Sequence, residues 1–532
     1  MKFQHISLLL FALLLSLASL SAAEPSNSQA KPNIILIIAD DLGPGDLSCA
    51  GATKIKTPNI DRLAAEGVRF TQGYAPSATC TPSRYSLLTG EYAWRQKAKS
   101  NSILDGDAPL CIEPGRLTLP AMLRAANYQT GIVGKWHLGL GDGRTKVDFN
   151  NEVKPGPLEV GFDYCHIIPA TVDRVPSVWI ENHQVLGLDP ADPIEVSYLA
   201  KIGDEPTGLE RPDLLKQGAD KQHSCTIING TSRIGYMKGG IAARFKDEEL
   251  ASTVVAKSIE FIEQQKDKPF FLEVGLFEPH VPRVAEKPFV GSSGTGVRGD
   301  VIQQIDWEVG EILKALDRLQ LANNTLVVFT SDNGPILFDG YYDRSVEDLN
   351  GHQPTSGLRG WKYLTFEGGC RVPFIARWPE HIQPRVSEQM ISLVDCFATL
   401  AKIVDHEIAA DAAMDSLDCQ PRCWEIPIRT FVPKLCFTAL AMRSRSARAT
   451  GNIFPPPPKR VQVASAVVRT HPTLGLLPRT SPSQCCSISL PIQTSSATFS
   501  QCIPTRRASW LGNWNSSSPK AIQRNRLQQH AE

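Results

Sequence analysis

The sequence lacks a net charge, a second long apolar run and any internal repeat. Lys and Arg total 55 against 55 Asp and Glu, a formal net charge of +0. That balance removes the bulk electrostatic pull toward nucleic acid or an anionic membrane. Beyond residue 23 no stretch is apolar enough to span a bilayer. Without repeats, an array architecture is excluded. Acid is also missing from the last fifth of the chain. From Cys419 to Glu532 there are fifteen Lys and Arg, two Glu and no Asp, so residues 1–418 carry 40 basic and 53 acidic groups. Such asymmetry marks a basic tail or a separate domain.

What is present is enough for one large α/β domain and a smaller one: 532 residues. Residues 1–23 read as a signal peptide, with Lys2, the apolar "ISLLLFALLLSLASL" and the small residues "SAA" in the expected order. A retained membrane anchor is the alternative. The expected organisation is a signal peptide over 1–23, a catalytic domain over 24–418 and a Cys-, Pro- and Ser-rich disordered tail over 419–532. The protein is expected outside the cytosol, secreted or periplasmic. Its 13 cysteines are an odd number, so at least one is unpaired within the monomer.

"KPNIILIIADD" is an unbroken apolar run, which predicts a parallel strand buried on both faces. "TPNIDRLAAEGVRF" predicts a helix capped by Thr57 with Pro58 at its first position. "LTLPAMLRAANYQTGIVGKWHLG" reads as helix, turn and strand. "DEELASTVVAKSIEFIEQQ" is a helix followed by the strand in "KPFFLEVGLFEPHVP". "DVIQQIDWEVGEILKALDRLQ" is another helix, and "NTLVVFTSDNG" another strand. Helices alternating with apolar strands predict a doubly wound, mostly parallel sheet. Residues 141–245 read as an irregular insertion.

Ligands of open α/β sheets sit beyond the carboxyl ends of the strands. One predicted strand ends in Asp40-Asp41 and another in Asp332-Asn333. Either pair alone reads as a turn former. Both together, at strand ends, point to a hard all-oxygen cage suited to Ca²⁺, with Mg²⁺ second. Lys135 and His137 lie two apart and leave the same face of an extended segment. His280 follows a strand in "EPHVP", and Lys362 precedes Gly368-Gly369. Singly each is an ordinary residue. Together they surround a metal with cations and favour a tetrahedral oxyanion group. Cys80 stands two residues before Pro82, at an expected helix start that favours an anion. It reads as half a disulfide, a core thiol, a nucleophile without an evident base, or a precursor.

The pattern Cys80-Thr81-Pro82-Ser83-Arg84 resembles that of the type I sulfatases, the formylglycine-dependent arylsulfatase family of the alkaline phosphatase superfamily. "NIILIIADDLG", "GIVGKWHLG", "FFLEVGLFEPHVP", "FTSDNGP" and "LRGWKYLTFEGGCRVPFIARWP" resemble that family as well, in its order and near its spacing, over about residues 32–405. The resemblance implies an alkaline-phosphatase-like fold and hydrolysis of an aryl sulfate or a sulfated glycan. It implies that Cys80 is converted to formylglycine by a maturation enzyme, a partner of the unmodified chain. It implies that Asp40, Asp41, Asp332, Asn333 and the modified Cys80 bind Ca²⁺. Arg84 and Lys135 would steady the formylglycine hydrate, His137 would take a proton from its second hydroxyl, and His280 and Lys362 would hold the sulfate. The alternatives are a phosphoester or phosphonate hydrolase of the same superfamily and a non-catalytic exported glycan-binding protein. No nucleic acid and no membrane span after signal cleavage are expected.

The same resemblance fails after Asp418. The family continues with an "SPLLLGD"-like stretch and closes with a small sheet, whereas this chain reads "CQPRCWEIP" and later "ATGNIFPPPP". Read from the third base of each codon, Asp418–Pro427 permits "LSAPLLGDP" and Ala449–Pro455 permits "NWKYIP". The tail is therefore expected to be out of frame through loss of one base near codon 418, leaving the C-terminal subdomain missing or garbled.

Overall fold

The computed structural model describes residues 31–96 and 103–420. The expected signal peptide and the expected out-of-frame tail beyond residue 420 lie outside these residues. The apolar run forms β1 (Asn33–Ala39), every residue of it buried. It sits in a ten-stranded sheet with β2 (Val68–Tyr74), β3 (Gln129–Lys135), β4 (Tyr164–Ile168), β5 (Ile180–Glu181), β6 (Gln184–Val185), β7 (Phe270–Gly275), β8 (Thr325–Ser331), β9 (Phe374–Arg377) and β10 (Arg385–Ser392). The order is β10-β2-β9-β8-β1-β7-β3-β4-β5-β6. The run β8-β1-β7-β3-β4 is parallel throughout. Antiparallel pairing appears at β9, against β8 and β2, and at the β4-β5-β6 edge.

Both faces are covered, which is why β1 shows no polar alternation. Ile34, Leu36 and Ile38 join one apolar cluster. It is roofed by α2 (Cys80–Thr89), α3 (Leu119–Ala125) and α6 (Cys396–Ile403). Ile35, Ile37 and Ala39 join the other. That face carries α1 (Pro58–Ala65), α4 (Leu250–Gln265) and α5 (Gly296–Arg318). Thr57 is the N-cap of α1 and Pro58 its first residue, as the sequence predicts. The Thr57 hydroxyl bonds Asp61 Oδ1 at 3.1 Å. The insertion is less irregular than expected. It adds β4, β5 and β6 to the sheet and forms two small two-stranded antiparallel sheets. Strands of two or three residues carry too little pattern to be read from sequence.

One buried carboxyl on α5 gives a stability test. Both oxygens of Glu308 lack a hydrogen-bond partner. Burial, with Glu278 and Glu286 adding, holds its proton on well above the usual carboxylate range. A raised folded-state pKa gives stability that is full below the unfolded value and is lost as pH rises. Glu308→Gln removes that loss. Its stability advantage over wild type should widen by about 1.4 kcal/mol per pH unit as pH rises from about 5, above the unfolded value and below the raised folded one. Denaturant melts across that range check it, and a pH-independent difference counts against the assignment.

Candidate functional site

Four parallel strands deliver the candidate residues to one place. Ala39 pairs with Ser331, Ile38 with Gly275, and Gly275 with Gly134. The residues just past β1, β8 and β7 and the last residue of β3 therefore meet at one edge: Asp40-Asp41, Asp332-Asn333, the segment to His280, and Lys135. Asp41 takes a left-handed turn at φ 67°, which aims successive carboxylates inward. The Asp41 N–H donates to Asp332 Oδ1 at 3.4 Å, and Asn333 Nδ2 donates to Asp41 Oδ1 at 2.7 Å. Asp40, Asp41, Asp332 and Asn333 are each at most 1% exposed.

Buried carboxylates require counter-charge. Lys135 Nζ bonds Asp40 Oδ2 and lies 3.4 Å from Asp332 Oδ2. Arg84 Nε donates to Asp332 Oδ2 at 2.9 Å, and Lys362 Nζ donates to Asp41 Oδ2 at 2.9 Å. His280 Nε2 is 3.9 Å from Asp41 Oδ2. Burial pushes the Asp40 carboxyl up to about 6, with Asp332 adding and Lys135 opposing. Burial opposes charge on Asp41 too, but Lys362 and His280 outweigh it and hold that carboxyl below its usual range. Asp332 is likewise lowered, as Lys135 and Arg84 overcome its burial.

Two buried oxygens in this cluster, Asp40 Oδ1 and Asn333 Oδ1, have no hydrogen-bond partner. Asp40, Asp41 and His280 present ligand atoms within 4.8 Å of one another. Orphaned oxygens among carboxylates are what a hard cation would satisfy. The donor set thus fits a Ca²⁺-class ion.

Cys80 opens α2, as expected, with Thr79 as N-cap. All ten residues of that helix are buried, Arg84 included. It ends at Gly90, whose φ of 64° suits the left-handed C-cap. Cys80 is a free thiol, which removes the disulfide reading. Burial raises its pKa, and Lys135 and Lys362 offset this only in part. A protonated thiol is a poor nucleophile, and burial favours that form of Cys80.

The expected common face of Lys135 and His137 is not found. β3 stops at Lys135, and His137 is left-handed at φ 55°. Its Nε2 bonds Leu104 O at 2.9 Å, and its buried Nδ1 is unpartnered. The first turn of α2 reaches it instead, through Thr81 Oγ1 to His137 O at 3.0 Å. Burial, then Lys135, hold this imidazole neutral, well below its usual range.

Sequence reasoning missed three groups. Asp339 bonds Lys362 Nζ at 3.2 Å and the Tyr363 hydroxyl at 3.0 Å. Arg283, immediately after "EPHVP", donates to Ile336 O, Leu337 O, Asp343 and Ser345, pinning the loop that follows Asn333. Arg174 pairs with Asp173 at 3.0 Å and brings the insertion toward Cys80. Arg283 was the most findable, as an Arg next to the His280 motif. The other two stand in loops without pattern.

The family model described as Sulfatase matches residues 32–406. An N-acetylgalactosamine-6-O-sulfatase of Bacteroides thetaiotaomicron is 53% identical over 390 residues, 73% of this chain and 76% of the relative. Rat steryl-sulfatase is 35% identical over 445 residues, 77% of this chain and 73% of the relative. A solved structure from work on glycosaminoglycan metabolism by Bacteroides thetaiotaomicron superposes with TM-score 0.72 at 52% identity, covering 74% of this chain and 81% of that one. A Pseudoalteromonas sp. sulfatase structure gives TM-score 0.53 at 26% identity, covering 74% and 72%.

Proposed function

Since the chain belongs to the sulfatase family and is a sulfuric ester hydrolase of alkaline-phosphatase-like α/β fold, we propose that it removes 6-O-sulfate from N-acetylgalactosamine in an extracytoplasmic sulfated glycan, using formylglycine at position 80 and one Ca²⁺. The observation that carries the reading is the meeting of three buried carboxylates and three buried cations beside the free thiol of Cys80. The sugar follows from the activity for which the 53% identical Bacteroides thetaiotaomicron relative is named. Cys80 is converted by a maturation enzyme acting on this chain.

Asp40, Asp41, Asp332, Asn333 and residue 80 would hold the ion. When bound, it supplies Lewis-acid polarisation of the sulfuryl oxygens and acidifies the attacking hydroxyl. Formylglycine at position 80 would supply that hydroxyl. Without the ion, the carboxylates of Asp40, Asp41, Asp332 and Asp339 exceed the cations of Lys135, Lys362 and Arg84 by one charge. A divalent cation therefore leaves the pocket positive, matched to an anionic sulfate ester.

Arg84, paired with Asp332, and Lys135, between Asp40 and Asp332, orient residue 80. Lys362 and His280 stand on the Asp41 side, where they hold the sulfate oxygens and support the departing alcohol oxygen. His137 acts as the base for the second hydroxyl. A neutral imidazole with an unbonded Nδ1 is in the state such a base requires.

Sulfate release from 6-O-sulfated N-acetylgalactosamine, its 4-O-sulfated isomer and the 6-phosphate ester tests the proposal. The expected order has the 6-O-sulfate ahead of both others by at least roughly 100-fold in kcat/KM. A phosphate ester cleaved as fast as the sulfate overturns it.

A further inference from the structure

The loop after Asn333 carries two aromatic rings that the chemistry above does not use. Phe338 and Tyr342 stack with centroids 5.8 Å apart and planes at 25°. They are 47% and 60% exposed. Burial of large rings favours folding, so core packing does not account for leaving these two at the surface. Exposed aromatic surface beside a functional site marks a ligand-binding surface.

The pair is held firmly. Arg283 bonds the loop on both sides of it, at Ile336 O (2.9 Å), Leu337 O (3.0 Å), Asp343 (2.6 Å) and Ser345 (2.9 Å). Between the rings, Tyr341 is buried and its hydroxyl donates to Ser232 O at 2.7 Å. The Tyr342 N–H donates to Gly218 O at 2.9 Å. A platform tied this way loses little conformational entropy on binding.

The pair is also continuous with the site. Asp41 bonds Lys362, Lys362 bonds Asp339, and Asp339 is the neighbour of Phe338. The facing segment adds Tyr363, whose hydroxyl bonds the same Asp339 and which is 46% exposed. The rings therefore begin one residue from a side chain that contacts the candidate sulfate-holding lysine.

We propose that Phe338 and Tyr342 form a stacking platform for the sugar next to the sulfated one, so that the enzyme reads at least two units of a glycan. A pyranose presents an apolar C–H face and a polar rim. The rings cover the former and leave the latter to water, as aromatic residues with one wet edge do. This inference rests on the glycan reading above.

The test compares a 6-O-sulfated N-acetylgalactosamine monosaccharide with an oligosaccharide carrying the same sulfated unit, using Phe338→Ala, Tyr342→Ala and the double variant of the matured enzyme. The double variant should lower the oligosaccharide-to-monosaccharide ratio of kcat/KM roughly tenfold. The loss should lie in KM, and Tyr342→Phe should restore the ratio. An unchanged ratio overturns the platform, whether both substrates keep their rates or both lose them equally. If wild type hydrolyses an aryl sulfate but neither sugar, the glycan reading fails and the platform falls with it.

Discussion

Replacing Cys80 with alanine is expected to abolish sulfate-ester hydrolysis, by ~10⁴-fold or more in kcat/KM, about 5.5 kcal/mol of transition-state stabilisation. The fold should survive. Cys80 is the first residue of α2, where alanine is a good helix former and the thiol contributes one small buried group. Cys80→Ser tests the chemistry more sharply. Serine can attack sulfur, but it must then be freed by hydrolysis of its own sulfate ester. In a host without serine-modifying machinery, this variant should show at most one turnover and retain sulfate on the protein. Sustained turnover by Cys80→Ser in such a host contradicts the proposed mechanism.

Exhaustive chelation is expected to lower kcat by ~10³-fold or more, since it removes the main compensation for charge on the sulfuryl oxygens. Ca²⁺ should restore activity better than Mg²⁺ or Zn²⁺, because every donor carried by Asp40, Asp41, Asp332 and Asn333 is oxygen. Asp332→Ala should be worse than chelation. Asp332 also pairs with Arg84 and Lys135; Lys135 keeps Asp40, but the removal strands the buried Arg84 guanidinium at a cost of about 3–5 kcal/mol of stability. Thermal denaturation with and without Ca²⁺ separates the two effects. Full activity in protein shown to be metal-free by elemental analysis counts against the site.

The architecture was legible where pattern is long. β1, β7 and β8 announce themselves as unbroken apolar runs, and α4 and α5 as periodic ones, because burial on both faces or on one leaves those signatures. Asp40-Asp41 and Asp332-Asn333 were legible as acids past strand ends. That they meet depends on β8 lying beside β1, which no local pattern states. The counter-charges were less legible. Lys135 looked paired with His137 by spacing, yet the chain turns left-handed at His137, and Lys135 belongs to Asp40. Asp339, Arg174 and the rings of Phe338 and Tyr342 lie in loops, where contacts are set by tertiary packing and leave no period in the sequence.

The most direct measurement is a mass spectrum of the peptide spanning residues 80–84, taken beside the specific activity of the same preparation. Protein made with a formylglycine-generating enzyme should show the Cys80 side chain converted from thiol to aldehyde, and activity should rise in proportion to the converted fraction. Protein made without that enzyme should carry intact Cys80 and be inactive. A fully active preparation in which Cys80 remains an unmodified thiol would contradict the account.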